Sequence, residues 1–241
     1  MFSFFVKKNN KIPVLTTDLH SHLIPGIDDG AKDMQESIRL LKGLVDVGYE
    51  KIITTPHIMS DSYRNNRENI MQGLGQLKYE AEANGLDVVL EAAAEYYLDD
   101  GFERHVEAGD MLTLGDGYIL FETSYVAKPL QFEEMVFAIA SAGYKPMLAH
   151  PERYRYINDS EKEYTRMKEL GIFFQVNINS FGGHYGKDAQ KKAAFLSKKG
   201  FISFLGSDIH HTKQVETLSV VKTTKEYSNI FKHNTILNDI L

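Results

Sequence analysis

The chain contains no cysteine. Disulfides, zinc–thiolate sites and cysteine nucleophiles are thereby excluded, and any metal must be held through nitrogen and oxygen. The same absence fits a reducing compartment, so a cytoplasmic location is expected. No apolar run approaches the roughly 18 residues that a membrane-spanning helix needs. The short apolar stretch at residues 2–6 precedes Lys7 and Lys8, the reverse of the charge order in a secretory signal. Positive charge is not in excess either. The formal net charge of −6 argues against broad electrostatic binding to nucleic acid. No Pro-, Gly- or Ser-rich linker interrupts the chain, and no internal repeat is evident.

What is present is enough for a full core, with 43% of the 241 residues hydrophobic and 25% charged. Residues 12–241 are expected to form one domain, preceded by an extension over residues 1–11. Runs rich in β-branched and aromatic residues at 14–20, 51–57, 87–97, 118–123, 145–150, 172–179 and 201–208 read as strands. They alternate with segments of helical period, the pattern of a parallel sheet with helices outside it. Asp33 and Glu36 form a capping-box signature before Ile38, Leu41, Leu44 and Val45 at helical spacing, with Gly48 as a stop. Further helices are expected at 68–84, 132–143, 162–171 and 188–200. Seven such units predict a distorted or incomplete relative of the (β/α)8 barrel, with an open doubly wound sheet as the alternative.

In barrels of this kind, chemistry sits at the C-terminal ends of the strands. Six of the expected strands place candidate ligands there: His20 and His22, His57, Glu95, Glu122, His150, and Asp208 with His210. His20 and His22 lie two apart and share a face, so the pair can chelate one ion; Asp208 and His210 repeat that spacing. A single histidine at a strand end is more often structural than not. Six such coincidences at equivalent positions are not expected by chance. Burying so many carboxylates and imidazoles without cations would carry a large desolvation penalty. With Asp29, the set comprises five imidazoles and four carboxylates, more than one ion takes while keeping open positions. Two or three cations are expected. All-N/O ligation favours manganese or iron, admits zinc and disfavours magnesium.

The segments Asp18-Leu19-His20-Ser21-His22, Ile27-Asp28-Asp29-Gly30-Ala31, Thr54-Thr55-Pro56-His57, Glu95-Tyr96-Tyr97, Leu120-Phe121-Glu122, Ala149-His150-Pro151-Glu152-Arg153-Tyr154, Gln175-Val176-Asn177 and Gly206-Ser207-Asp208-Ile209-His210 together resemble the PHP (polymerase and histidinol phosphatase) superfamily. Within it, the chain is similar to the manganese-dependent tyrosine-protein phosphatases encoded with bacterial capsule and exopolysaccharide genes. The opening and closing motifs are shared across the superfamily, whereas the Asp28–Ala31 and His150–Tyr154 segments mark the phosphatase branch.

The resemblance implies a PHP-type (β/α)7 barrel and a three-metal centre. His20, His22, Glu95 and Asp208 would hold one ion; the bridging Glu95 with Glu122 and His150 a second; Asp29, His57 and His210 a third. It implies phosphomonoester hydrolysis by metal-activated water, with Arg153, Glu95 and Asp208 at the reacting centre and Arg153 as the phosphate-binding arginine. The implied partner is a phosphotyrosine-bearing protein, a bacterial tyrosine kinase tail, with neither nucleic-acid binding nor membrane insertion. Relatives can carry a second arginine just after the closing motif, where this chain has His211-Thr212-Lys213. Lys213 or His211 would have to substitute, although a lysine supplies a point charge and not a planar fork. The rival readings are a histidinol-phosphate phosphatase, a 3′–5′ exonuclease and a non-catalytic metal-binding protein. His105, His184 and His233 lie off the strand-end pattern and read as structural or solvated. Tyr96, Tyr97, Tyr154 and Tyr156 are open between packing roles and contact with a substrate ring.

Overall fold

The computed structural model describes residues 13–241; the extension expected over residues 1–11 lies outside the described residues. Strands β1 (Thr17–Asp18), β2 (Lys51–Thr54) and β4 (Val89–Ala92) form one parallel sheet. A second comprises β3 (His57–Ile58), β5 (Glu95–Tyr97), β6 (Tyr118–Glu122), β7 (Lys145–Ala149), β8 (Phe173–Asn177) and β9 (Ile202–Gly206), paired in that order. The two sheets are continuous with each other at both seams. At one, the same two chain segments run on from β2 to β3 and from β4 to β5, and bonds between them continue on both sides of the break: Ala93 N–H donates to Thr54 O at 2.9 Å and Glu95 N–H to Pro56 O at 3.1 Å. At the other, Asp208 N–H donates to His20 O at 2.8 Å and His22 N–H to Ile209 O at 3.0 Å, tying the chain after β9 to the chain after β1. Seven strand positions thus follow one another in cyclic order, as in a distorted (β/α)7 barrel. An open doubly wound sheet would have no joint between its first and last strands.

The segments read as single strands at 51–57 and 87–97 are each two strands. Pro56 has no N–H to give to a ladder, so β2 ends before it and β3 restarts beyond it in the other sheet. The neighbouring strand breaks at the same level, across Ala93 and Ala94. The expected 14–20 and 201–208 strands shorten to β1 and β9, and 172–179 ends at Asn177, where a short helix starts.

The helices are α1 (Met34–Asp46), α2 (Arg67–Ala83), α3 (Phe102–Ala108), α4 (Phe132–Ser141), α5 (Ser160–Glu169), α6 (Ile178–Phe181), α7 (Gly186–Lys199), α8 (Thr212–Val221) and α9 (Lys225–His233). Asp33 caps α1 by accepting from Glu36 N–H at 2.8 Å, while Glu36 reaches back to Lys32 N–H at 3.2 Å and not to Asp33. The short helices α3, α6, α8 and α9 were not expected. Among the described residues, no helix is long and apolar enough to cross a membrane.

The core has two parts. Helices pack on the outer faces of the strands through one large cluster that includes Leu40, Leu41, Leu44, Phe121 and Phe174. A smaller one, with Leu19, Ile53, Ala93, Leu120, Met147 and Phe204, draws residues from around the ring and fills its interior. Side chains alternate along a strand, so the positions two beyond Ala93 and Leu120 face the same way. Those positions are Glu95 and Glu122.

Candidate metal centre

Glu95 lies at the hub. Its Oε2 is 3.2 Å from His20 Nε2, 3.5 Å from His22 Nε2 and 3.2 Å from His57 Nδ1, and its Oε1 is 2.9 Å from His150 Nε2. Glu122 joins from the next strand, 3.3 Å from His57 Nδ1 and 3.8 Å from His150 Nε2. Asp208 Oδ1 sits 3.5 Å from His20 Nε2, 3.7 Å from His22 Nε2 and 3.4 Å from His210 Nδ1. Asp29 closes the outer side, 3.3 Å from His57 Nε2 and 3.4 Å from His210 Nε2. All nine residues singled out in the sequence therefore meet in one cluster. Their ligand atoms form overlapping groups: His22, Asp29, His57 and His210; His20, His22 and Asp208; His20, Glu95 and His150; His57, Glu95 and Glu122. His22 stands with the Asp29 group as well as with His20 and Asp208, a sharing that the three implied ligand sets did not include.

Two independent features fit this donor set to cations. The first is the direction of the imidazoles. His20 Nδ1 is 2.7 Å from Gln175 Oε1, His22 Nδ1 is 2.8 Å from Asp28 Oδ2 and His210 Nδ1 is 3.1 Å from Asp208 O. Each of these oxygens is an acceptor, so each Nδ1 carries the proton and each Nε2 faces the cluster. His20 Nε2 and His22 Nε2 are only 3.3 Å apart. Two lone pairs at that distance repel unless something positive lies between or beside them.

The second feature is electrostatic. Burial opposes charge on Glu95, yet it is held well below the usual carboxylate range because His20 and His57 outweigh that penalty. Asp208 is held low against burial by His20, His210 and Arg153. Burial and then Glu95 push Glu122 up to about 8, a carboxyl denied its charge by its neighbour. Burial would lower His20 and His57, but Glu95 and nearby carboxylates lift them to about 9 and about 10. Without a metal, His20 and His57 therefore hold protons near neutral pH, whereas burial and then Arg153 push His150 down to about 4. Bound cations must displace those protons, so affinity should rise between pH 7 and pH 9, by about tenfold per unit for each proton released. Calorimetric titration with Mn2+ in buffers of different ionisation enthalpy would count the protons. Flat affinity over that range would show that these imidazoles do not take the metal.

A family model described as capsular polysaccharide synthesis, CpsB/CapC, matches residues 16–229. The chain belongs to the CpsB/CapC family. It is 29% identical to the tyrosine-protein phosphatase YwqE of Bacillus subtilis (strain 168) over 197 residues, 81% of this chain and 78% of that protein. It is 29% identical over 201 residues to the tyrosine-protein phosphatase CpsB of Streptococcus pneumoniae, 80% of this chain and 82% of the relative. A crystal structure from work on these two proteins, described as metal-dependent tyrosine phosphatases, superposes with a TM-score of 0.78 at 25% identity. The match covers 92% of this chain and 96% of the other.

In this CpsB/CapC protein the cluster is braced by Gln175, Asn177 and Asp28, which stood in the segments that carry the family resemblance but were given no role there. The sixth expected strand carried no ligand, but it supplies Gln175, which orients His20, and Asn177, whose Nδ2 donates to Asp208 Oδ2 at 2.6 Å. Two amides two apart on a buried, otherwise apolar strand were the available signal. Asp28 turns His22 and also accepts from Gly30 N–H at 3.0 Å. A Cβ on Gly30 would collide with the carbonyl oxygen and Cβ of His22, so glycine is required where this loop crosses the ligand.

Among the described residues, the non-glycine positions with positive φ are His150 (33°) and Asp208 (51°). Both are cluster members just past the ends of their strands. That conformation costs about 1–3 kcal/mol per residue and persists only where surrounding bonds over-determine it. For Asp208 these bonds come from Asn177, from Tyr185 OH at 3.2 Å and from Arg153 Nη1 at 2.7 Å, all to Oδ2. Oδ1 is left for the imidazoles.

Arg153 is no ordinary surface ion pair. Its guanidinium lies over two aromatic rings at the edge of the cluster, 4.6 Å from the Tyr125 ring centre and 4.3 Å from that of Tyr185. Neither tyrosine was picked out in the sequence. Of those that were, Tyr96 and Tyr154 are buried, with hydroxyls bonded to the backbone at Leu112 and Ala149, while Tyr97 and Tyr156 are half-buried. Tyr63 stacks on His57 with ring centres 5.4 Å apart. His211 and Lys213 are exposed at the start of α8.

Proposed function

We infer that this chain is a metal-dependent protein-tyrosine phosphatase acting in the cytoplasm on a bacterial tyrosine kinase of capsule or exopolysaccharide synthesis. Residues 12–241 would be its catalytic domain. The observation that carries this reading is the Glu95-centred cluster of nine ligands with Arg153 clamped at its rim, in a chain whose relatives are tyrosine-protein phosphatases.

His20, His22, Asp208 and Glu95 would hold one cation, Glu95, Glu122 and His150 a second, and Asp29, His57 and His210 a third, with Mn2+ the preferred ion for this ligand set. Bound there, the cations supply Lewis acidity that activates water near neutral pH and neutralises phosphoryl charge. Glu95 would contribute to neighbouring sites, since its one carboxylate lies against four imidazoles. Asp208 is held in one orientation by three donors on Oδ2. Arg153 commits one nitrogen to Asp208, and its remaining N–H groups can donate to phosphoryl oxygens. A tyrosine leaving group departs as a phenolate with a pKa near 10, so it needs less protonation than an alkoxide would.

Substrate choice tests the reading. With Mn2+, phosphotyrosyl peptides should be hydrolysed at higher kcat/KM than phosphoseryl peptides or histidinol phosphate. If histidinol phosphate is preferred by about tenfold or more, some 1.4 kcal/mol in transition-state binding, the tyrosine assignment is wrong although the metal chemistry survives.

A further inference from the structure

Next to the candidate centre, the loop that follows Arg153 and helix α7 enclose a cleft of about 380 Å3 lined by Arg155, Lys191, Lys192 and Asp188 over Ile157 and Phe195. We propose that this cleft docks acidic side chains flanking the phosphotyrosine of the protein substrate. The proposal rests on the phosphotyrosine reading above and adds a sequence preference to it.

Charge is the first argument. The chain as a whole is acidic, at −6, yet α7 carries Lys187, Lys191, Lys192, Lys198 and Lys199 against Asp188 as its one carboxylate. Part of that charge is used locally. Lys192 Nζ donates to Asp188 Oδ2 at 2.7 Å and to Tyr154 O at 2.8 Å, and Lys199 pairs with Glu161. Lys192 thereby satisfies the cleft's one carboxylate. Arg155 and Lys191 are exposed, and among the described residues no ion pair engages either side chain. Their charge is available to a ligand.

Position is the second. Both walls of the cleft connect to the tyrosines whose rings lie against Arg153. Arg155 N–H donates to Tyr125 O at 2.7 Å, and the Tyr125 ring lies against the Arg153 guanidinium. Tyr185, whose ring also lies against the guanidinium, is the residue from which α7 starts. Lys191 is six residues along that helix, about 9 Å at 1.5 Å per residue. Arg155 is two residues from Arg153, at most about 7 Å between Cα atoms. An extended peptide advances about 3.3 Å per residue. A phosphate held at Arg153 would leave side chains one to three positions away within the reach of Arg155 and Lys191. Ile157 and Phe195 supply an apolar floor for the methylenes of Asp or Glu.

The test compares phosphotyrosyl peptides that differ only in Glu or Gln at the three positions on either side of the phosphotyrosine, using Mn2+-loaded wild type and an Arg155→Glu/Lys191→Glu double variant. Wild type should favour one of the acidic peptides by about three- to tenfold in kcat/KM at low salt, the scale of two exposed charge pairs, with the gain shrinking as salt is added. The double variant should lose or invert that preference while hydrolysing p-nitrophenyl phosphate at the wild-type rate, which also reports an intact fold. Equal kcat/KM for acidic and neutral peptides in wild type overturns the proposal, as does a preference that survives in the double variant. Failure of wild type to hydrolyse any phosphotyrosyl peptide while it turns over other phosphomonoesters overturns instead the substrate reading on which the proposal rests.

Discussion

Glu95→Ala is expected to lose both bound metal and catalysis, with kcat/KM falling by about 10³-fold or more. The reason is geometric. One carboxylate serves His20, His22, His57 and His150 and belongs to two of the candidate ligand groups, so its removal would take a donor from both and leave the repulsion of any cations held there less screened. In the metal-free protein the same change leaves His20 and His57, lifted to about 9 and about 10 largely through Glu95, without their main partner. Breaking a buried pair in this way costs about 3–5 kcal/mol, so a lower midpoint of thermal unfolding should accompany the loss. Metal content by elemental analysis and turnover on p-nitrophenyl phosphate would measure the first two effects, and circular dichroism would show whether the fold remains. Normal metal content with near-normal turnover would make Glu95 a structural residue.

Arg153→Ala should separate chemistry from metal binding. Asp208 Oδ2 keeps Asn177 Nδ2 and Tyr185 OH when the guanidinium is removed, so the ligand stays oriented and metal content should hold. What disappears is the forked donor at the rim, and kcat/KM is expected to drop by about 10²-fold. Arg153→Lys should recover only part of this, because an ammonium can neither lie over Tyr125 and Tyr185 as a plane nor donate in parallel pairs. An unchanged kcat/KM in the alanine variant would leave Arg153 only the role of an ion pair that orients the buried Asp208.

Legibility in the sequence followed how local each signal was. The helix that starts after Asp33 was readable because a cap bond spans three residues. Glu95 and Glu122 stood out because ionisable residues are rare in runs that otherwise read as buried strand. The division of residues 51–57 and 87–97 between two sheets was harder to see. Pro56 announced one break, but the matching break at Ala93 and Ala94 is imposed by the neighbouring strand and leaves no mark of its own. Helices α8 and α9 were overlooked for a different reason: they follow the last ligand motif, where the alternation of strand and helix that guided the reading had ended.

The sequence by itself determined the chemistry available: no thiol, five imidazoles and four carboxylates at strand ends or beside them, and one arginine three residues beyond His150. Residue type and spacing along a strand are local properties, so they survive translation into a list of candidate ligands. Only the tertiary structure decided which atoms meet. Glu95 became the hub because β5 lies between β3 and β6, so that His57 and Glu122 flank it from either side. Gln175 and Asn177 became supports because β8 lies between the strands that lead to His150 and Asp208. Tyr125 and Tyr185, 60 residues apart in the chain, came to lie against one guanidinium. Those relations depend on strand order and on backbone turns at His150 and Asp208. They join residues far apart in sequence, and no spacing within a single segment records them.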